Sequence, residues 1–400
     1  MKKIVVILIF LICSYEIFPQ SITNYTTANG LVDNFVQCVT VDQNNNVWFG
    51  TISGVSMFDG TNWTTYNTAT YPNMPNDNIK VISAMSNGDI WIGTDFGASK
   101  FDGTSWITYT INDGLTSNQI KSINEEGNGI VWIATNLGVT AFPGLSYSSP
   151  NLHWSGVNET AFDSQGNKWF SSPLGGLTSY DGGTNFTNYD TSSGLMSMYA
   201  TSLLVDNQDR KWVGTGSGIS VLDASNTNWT HYTIMYVLPP PDTLNPVVDI
   251  VEGSNGIWVA IYVGYLAQGG VAFFDGNNWY DWDQSDGIIG ANVTGIAIDY
   301  YDNIWVSTST GVSKISSITN INEEFYKEEI FYPIPANEVI YFNNKNLISV
   351  QIFNMLGQEI MREEIATNQN NIEISHLEEG VYSIISNTKT YKTTQKIIIY

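Results

Sequence analysis

The chain has 400 residues, and its 15 Lys and Arg against 38 Asp and Glu give a formal net charge of −23. Only 13% of residues are charged while 42% are hydrophobic and 13% aromatic, a balance that supplies a large core and excludes disorder through charge or long charge-laced helices. An acidic surface repels phosphate and no basic stripe compensates, so nucleic acid is excluded as a partner.

At the amino terminus Lys2 and Lys3 precede the apolar run Ile4 to Cys13, and Ser14 to Gln20 turns more polar. This is the layout of an export signal, so residues 1–20 are expected to be removed. The run is too short to cross a bilayer and no later segment approaches that length, so no direct membrane span is expected. Ile12 stands where a lipoprotein signal wants a small residue, which disfavours a lipid anchor on Cys13. Cleavage leaves Cys38 alone, and stability must then come from packing rather than a disulfide.

Residues 21–318 repeat. Trp48, Trp91, Trp132, Trp169, Trp212, Trp258 and Trp305 recur at spacings of 37 to 47 residues, the period of a solenoid, propeller or array. Each sits in a run such as Val47-Trp48-Phe49-Gly50-Thr51 or Ile304-Trp305-Val306-Ser307-Thr308, and each run leads to a Gly that opens the next one. In the first unit four strand-like runs cover Val36 to Val41, Val47 to Thr51, Val55 to Phe58 and Trp63 to Tyr66, separated by Asn, Asp and Gly clusters that read as hairpin turns. Apolar residues on both sides of the Trp predict sheets buried on both faces. The reading is an all-β, seven-bladed β-propeller with the seven tryptophans packed blade to blade. The seventh unit passes from Gly311–Ile315 into a linker with no outer strand, whereas Ile22-Thr23-Asn24-Tyr25-Thr26 repeats the outer run Trp106-Ile107-Thr108-Tyr109-Thr110. The propeller is therefore expected to be closed by its N-terminal strand.

These motifs, with Gly-Val and Phe-Asp-Gly following the Trp and Asn112-Asp113-Gly114-Leu115 between units, resemble the two-component regulator propeller repeat. In that family the propeller often forms the periplasmic sensor of a hybrid histidine kinase and detects glycan fragments; the resemblance implies a binding surface.

Residues 319–329 read as a linker, and residues 330–400 as a second β-rich segment expected to form a small C-terminal β-sandwich. Its runs Tyr332-Pro333-Ile334-Pro335-Ala336, Val350 to Gln358 around Gly357, and Leu377-Glu378-Glu379-Gly380-Val381-Tyr382 resemble the type A sorting domain of the type IX secretion system. The resemblance implies Tyr332, Pro333, Pro335, Gly357, Gly380 and Tyr382 as the sorting motif and the type IX secretion machinery as a partner. It also implies release from, or attachment to, the outer surface of a Gram-negative bacterium.

Catalytic chemistry is sparse. His153, His231 and His376 are the only histidines, no catalytic residue, metal site or cofactor is predicted, and Asp42, Asn44, Asn46, Asp299 and Asp302 read as caps of their own turns rather than calcium ligands. The irregular sixth unit is the candidate site. Its interval from Trp258 to Gly270 is twelve residues where five units have six, with Tyr262 and Tyr265 inside it. Tyr236 stands in a long preceding connection, and Asp281-Trp282-Asp283 follows on the same face. Rings for stacking and carboxylates for hydroxyl hydrogen bonds suit a glycan. The expected function is a secreted or cell-surface, non-catalytic binding propeller for extracellular glycan; the alternatives are a protein-protein interaction platform and a carbohydrate lyase or hydrolase using Asp281 and Asp283.

Overall fold

The computed structural model describes residues 20–142, 145–148, 156–233, 246–263 and 268–317, and towards the carboxyl terminus 331–332, 336–342, 347–354, 358–366, 369–388 and 392–399. The expected export signal, except Gln20, and the expected linker 319–329 lie outside the described residues. The chain divides into two compact units, residues 1–318 and 319–400. Among the described residues the regular structure is strand, apart from short 3₁₀ turns at Thr27–Asn29, Ile111–Asp113 and Thr191–Ser193.

The first unit contains seven four-stranded antiparallel sheets. Their first strands are Val36–Val41, Val81–Ala84, Ile120–Glu125, Glu159–Phe162, Ala200–Val205, Val247–Gly253 and Val293–Ile298. Each lies beside the first strand of the next sheet, and Val293–Ile298 lies beside Val36–Val41. In the seventh sheet the fourth strand is Gln20–Tyr25, which pairs with Gly311–Ser317 in the register Ile22↔Ile315 and Tyr25↔Val312. Antiparallel alternation within a sheet places the turns between second and third strands, and the connections between sheets, on one face, here the connection face. The first and third turns of each sheet lie on the other, the hairpin face.

The repeat tryptophans are buried between sheets. Trp48 packs with Ile79, just before the second sheet, and with Ile82 and Ile92 within it, and Trp305 of the seventh packs with Val36, Phe49 and Phe58 of the first. A buried indole N–H needs an acceptor, and the residue six positions earlier provides it in five sheets. The acceptors are Asp42 for Trp48 (2.8 Å), Glu126 for Trp132 (2.9 Å), Asp163 for Trp169 (2.9 Å), Asp206 for Trp212 (2.8 Å) and Asp299 for Trp305 (2.9 Å). The same Asp42 carboxylate accepts the Asn44 and Asn46 backbone N–H groups at 2.9 Å; one side chain thus shapes the first hairpin turn and anchors the core. Glycine is required where the second turn closes: Gly54 has φ +120°, and a Cβ there would stand 2.5 Å from the Tyr66 carbonyl oxygen.

A second regularity faces the tryptophans. The last aromatic of the outer strand packs on the repeat Trp of its own sheet, as Tyr66 on Trp48, Tyr109 on Trp91, Tyr189 on Trp169 and Tyr232 on Trp212, with ring centroids 5.3 to 5.9 Å apart. Tyr25 does the same for Trp305 at 5.6 Å, from the opposite end of the propeller unit.

Polar bonds on the hairpin face join neighbouring sheets around the full ring. In sheet order they are Gln43 to the Met85 carbonyl, Ser86 to Glu125, Lys168 to Glu126, Ser164 to Asp209, the Asn207 N–H to Glu252, Ser254 to Asp302, and the Tyr300 N–H to Asn45. The last of these joins the seventh sheet to the first.

The second unit has a three-stranded sheet, Phe331–Tyr332, Val339–Phe342 and Asn371–Glu373, and a four-stranded one, Leu347–Asn354, Glu359–Glu364, Gly380–Thr388 and Lys392–Ile399. Ile340, Phe342 and Ile372 of the first share one core with Val350, Ile352, Ile384 and Ile397 of the second. Of the motif residues, Tyr332 pairs with Tyr341, Gly380 opens a strand, and Tyr382 is buried with its hydroxyl donated to the Glu378 carbonyl at 2.9 Å. Pro333, Pro335 and Gly357 lie outside the described residues.

Candidate functional site

The long interval of the sixth sheet is an extended hairpin. Its second and third strands, Gly256–Val263 and Gln268–Phe274, continue pairing through Tyr262↔Gly269 to Val263↔Gln268, and the Tyr262 N–H donates to the Pro246 carbonyl at 3.0 Å. Tyr262 is thus fixed on the connection face, while Tyr236 and Tyr265 lie outside the described residues. Trp282 is placed differently from the free ring expected: it stacks on Trp258 at 5.1 Å, taking the position that Tyr occupies in other sheets. Asp283 serves its own turn, its carboxylate accepting the N–H and hydroxyl of Ser285 at 2.6 Å each. Asp281 is half-buried, and burial together with Asp286 and Asp283 raises its carboxyl above the ordinary range. In other sheets the residue at this place bonds a third-strand hydroxyl, as Asn24 with Ser313 (2.6 Å) and His231 with Ser220 (3.1 Å). The sixth sheet pairs Asp281 with Ala272, which has no hydroxyl to offer.

The connection face carries an arc of exposed apolar side chains that the sequence reading did not single out. Phe96, Leu137 and Leu174 in the second-to-third-strand turns of sheets two, three and four are 61%, 58% and 63% exposed, and Tyr199 before the fifth sheet is 54% exposed. Phe35 and Ile52 extend the arc into the first sheet.

Along the ring axis the first strands enclose a cavity of about 620 Å³. Bulges at Val36/Cys38, Ala200/Ser202, Val247/Asp249 and Val293/Gly295 re-aim side chains at its rim. Gln37, Thr201 and Thr294, at these bulges, and Asn158, just before the first strand of the fourth sheet, each bond a carbonyl of the next unit, Ile79 at 2.8 Å, Val247 at 2.5 Å, Val36 at 2.7 Å and Ala200 at 2.8 Å respectively. One residue further along, Cys38, Val81, Ser122, Ser202 and Gly295 occupy five sheets, and Glu159 and Asp249 the other two. Glu159 accepts from Asn124 Nδ2 at 2.5 Å, and Asp249 accepts the Ile250 and Ile296 N–H groups at 2.9 and 3.0 Å. Burial pushes the Glu159 carboxyl up to about 7 and the Asp249 carboxyl up to about 6, the negative charge of Asp249 adding to the rise at Glu159. Burial likewise lifts the Cys38 thiol far above its usual value.

Comparison with known proteins agrees with this architecture. The profile of the secretion system C-terminal sorting domain matches residues 330–400, and that of the two component regulator propeller matches residues 30–53. Among solved structures the chain is similar to the extracellular domain of a hybrid two component system from B. thetaiotaomicron (18% identity, TM-score 0.62, 94% of this chain and 57% of that one). It is also similar to PorZ, a surface component of the type IX secretion system of Porphyromonas gingivalis (15%, TM-score 0.58, 92% and 60%), and to streptogramin B lyase (16%, TM-score 0.60, 74% and 97%). At these identities the likeness is one of fold, and the chain spans less than two thirds of the first two of these structures. No curated protein matches it in sequence. The class is therefore an all-β propeller protein marked for secretion or the cell surface. More particularly, the chain carries a two component regulator propeller segment and a secretion-system C-terminal sorting domain.

Proposed function

We propose that this protein is exported by type IX secretion and acts outside a Gram-negative cell as a non-catalytic binding module, a seven-bladed propeller closed by its N-terminal strand. Its working surface is the connection face, and the observation that carries this is the exposed arc from Phe35 to Tyr199. Exposed apolar side chains repeated on one face of successive sheets favour an interaction site there, whereas on the hairpin face the exposed rings Tyr300 and Tyr301 are confined to one turn of the seventh sheet. Leu137 and Leu174 offer neither a flat ring nor a polar partner for a hydroxyl, which favours a protein or peptide ligand. A glycan is the second reading, supported by Tyr262 and by Asp281, whose carboxylate receives no hydrogen bond from another described residue.

The test is retention of the purified propeller on extracellular material from the producing bacterium, after protease or periodate treatment. Loss of retention with protease, and with Leu137→Ser/Leu174→Ser, is expected. Loss with periodate, and with Asp281→Asn, would give the ligand to the glycan reading. Retention unaffected by any of these changes would remove the connection face as the site. Mass spectrometry of the exported form should show that residues 1 to about 20 and most of the chain after Ile330 are gone.

A further inference from the structure

Positive charge is scarce in the propeller unit: Lys80, Lys100, Lys121, Lys168, Arg210, Lys211 and Lys314 are the basic residues between 21 and 318. Four of them meet a carboxylate, Lys100 at Asp89 (3.3 Å), Lys168 at Glu126 (2.8 Å), Arg210 at Asp206 (2.6 Å) and Lys211 at Asp163 (3.9 Å). Lys314 lies over the Trp305 ring at 5.2 Å. Lys80 and Lys121 remain. Among the described residues neither forms an ion pair; the Lys80 ammonium donates to Gln37 Oε1 at 2.9 Å, and the exposed Lys121 ammonium has no hydrogen-bond acceptor. In a chain of net charge −23, where acids are in excess, cations that no acid covers are available to an outside anion.

The two lysines stand at equivalent places in neighbouring sheets. Lys121 is the bulged residue between Ile120 and Ser122 in the first strand of the third sheet; Lys80 directly precedes Val81 in the second, its N–H donating to the Gly93 carbonyl at 2.8 Å. The strands are adjacent, and Gly93 leaves no gap between them: a Cβ there would stand 2.5 Å from Ile120 Cγ2 and 3.2 Å from Val81 Cβ. First strands begin at the connection face, so both lysines line the axial cavity at that mouth, while Glu125 and Glu252 line its other end. Their counterparts Gln37, Asn158, Thr201 and Thr294 are neutral and bound to carbonyls of the next unit. Glu159 and Asp249, one residue further along their strands, accept from Asn124 Nδ2 and from the Ile250 and Ile296 N–H groups. The connection-face mouth is thus the positive end of the cavity.

The exposed arc adjoins this mouth. The pairing Val81↔Gly93 sets Lys80 opposite Thr94, two residues before Phe96, and Ile120↔Thr135 sets Lys121 beside Thr135, two residues before Leu137. Each lysine is therefore accompanied, in its own sheet, by an exposed apolar side chain. Acids of the same face leave the lysines open: Asp33 accepts from the Ser53 hydroxyl at 2.6 Å, Asp77 accepts from the Thr68 N–H and hydroxyl at 2.7 and 2.9 Å, and Asp95, beside Phe96, pairs with neither lysine. We propose that the connection-face mouth binds an acidic peptide segment, a carboxylate meeting Lys80 and Lys121 while apolar side chains next to it cover Phe96 and Leu137. This deepens the protein reading of the connection face and rests on it. Charge complementarity confines an anion to this mouth, since the acidic surface elsewhere repels it. The apolar neighbours select a peptide over an acidic glycan, whose hydroxyls need polar partners. The carboxylate has two possible sources, an Asp or Glu side chain or the end of a chain, and both present the same chemistry.

Fluorescence anisotropy on the full chain at low ionic strength tests this with three labelled peptides: Phe-Leu-Glu-Glu-Leu amide, Phe-Leu-Gln-Gln-Leu with a free carboxyl terminus, and Phe-Leu-Gln-Gln-Leu amide. One or both acidic probes should bind saturably and roughly fivefold tighter than the neutral amide. Preference for the first identifies a side chain as the source, and preference for the second a chain end. Added salt should remove the difference, and so should Lys80→Gln/Lys121→Gln, while Lys100→Gln, whose ammonium already holds Asp89, should not. The comparison of probes on the unmodified chain needs no variant to fold. Equal binding of acidic and neutral peptides, a preference that survives the double variant, failure of every peptide to bind natively folded protein, or binding of oligogalacturonate in place of the peptides would each overturn the proposal. Its failure is distinguishable from that of the connection-face reading. Retention on extracellular material that is still lost with Leu137→Ser/Leu174→Ser leaves that reading standing, and retention indifferent to that change removes both.

Discussion

Glu159 and Asp249 give the molecule a pH dependence whose sign follows from their placement. Their carboxyls are raised to about 7 and about 6 in the folded chain, whereas an unfolded chain titrates them near 4. The folded state therefore binds more protons across that interval. Their contribution is fully present below about pH 4 and is lost as the pH rises through 6 and 7. Glu159→Gln with Asp249→Asn should remove this slope, so that the double variant gains on the parent by roughly 4 kcal/mol between pH 5 and 8. Thermal melts across that range check it, and parallel curves would show that the two carboxyls remain solvated. The exposed turn residues Asp59, Asp102 and Asp181 work in the opposite sense: backbone N–H groups hold their carboxyls below the ordinary range, so what they contribute is lost only as the pH falls into the acid range.

At the scale of the strand, the repeat was legible because each unit spells the same physics. An aromatic in the second strand and a glycine at the second turn are visible as letters in every unit, and they are the groups that bury and bend; the acid six residues before the Trp accepts its indole N–H in five sheets, while the second unit has Met85 there. The candidate site was less legible for the same reason. Trp282 stood out as an extra ring beside two acids, yet its place at the end of the outer strand makes it the sixth sheet's counterpart of Tyr66, Tyr109 and Tyr189, stacked on Trp258. Glu159 and Asp249 passed unnoticed because nothing in their neighbours' chemistry marks them; only alignment of the seven first strands shows carboxyls where Cys38, Val81, Ser122, Ser202 and Gly295 stand. The exposed arc was missed because single apolar residues in turns carry no pattern until the ring places five sheets' turns on one face. Two substitutions test the scaffold assignment. Trp132→Ala should destabilise by roughly 3 to 5 kcal/mol, since it empties a buried site and strands the Glu126 carboxylate that accepts its indole N–H. Trp282→Ala should cost about 1 to 3 kcal/mol, less because the ring is half-buried. Denaturant melts that show no loss for Trp282→Ala would return that ring to the candidate site.

For the propeller unit as a whole, the question is what holds seven similar sheets in one ring. Among its described residues the unit has no disulfide, and Cys38 is their free cysteine. Two devices act instead. The belt of polar bonds on the hairpin face passes through every junction, including the seventh-to-first contact between the Tyr300 N–H and Asn45 at 2.7 Å. The amino-terminal strand supplies the other. Through Gln20–Tyr25 it covers the third strand of the seventh sheet, lays Tyr25 on Trp305, and bonds Asn24 to Ser313 at 2.6 Å and to the Gly287 carbonyl at 3.0 Å. The strand therefore ties the beginning of the unit to its end, and without it Gly311–Ser317 would present an unpaired edge. Because each sheet is packed on both faces by its neighbours, opening one junction exposes apolar surface on two sheets and weakens the rest in turn. Deleting residues 21–28 should accordingly lower the melting temperature by roughly 5 to 10 °C, the scale expected for losing several kcal/mol in a unit of this size, and in a single cooperative transition. Calorimetry of the truncated and parent chains checks this: a separate early transition would confine the effect to the seventh sheet, and an unchanged melt would leave the polar belt as the element that holds the ring.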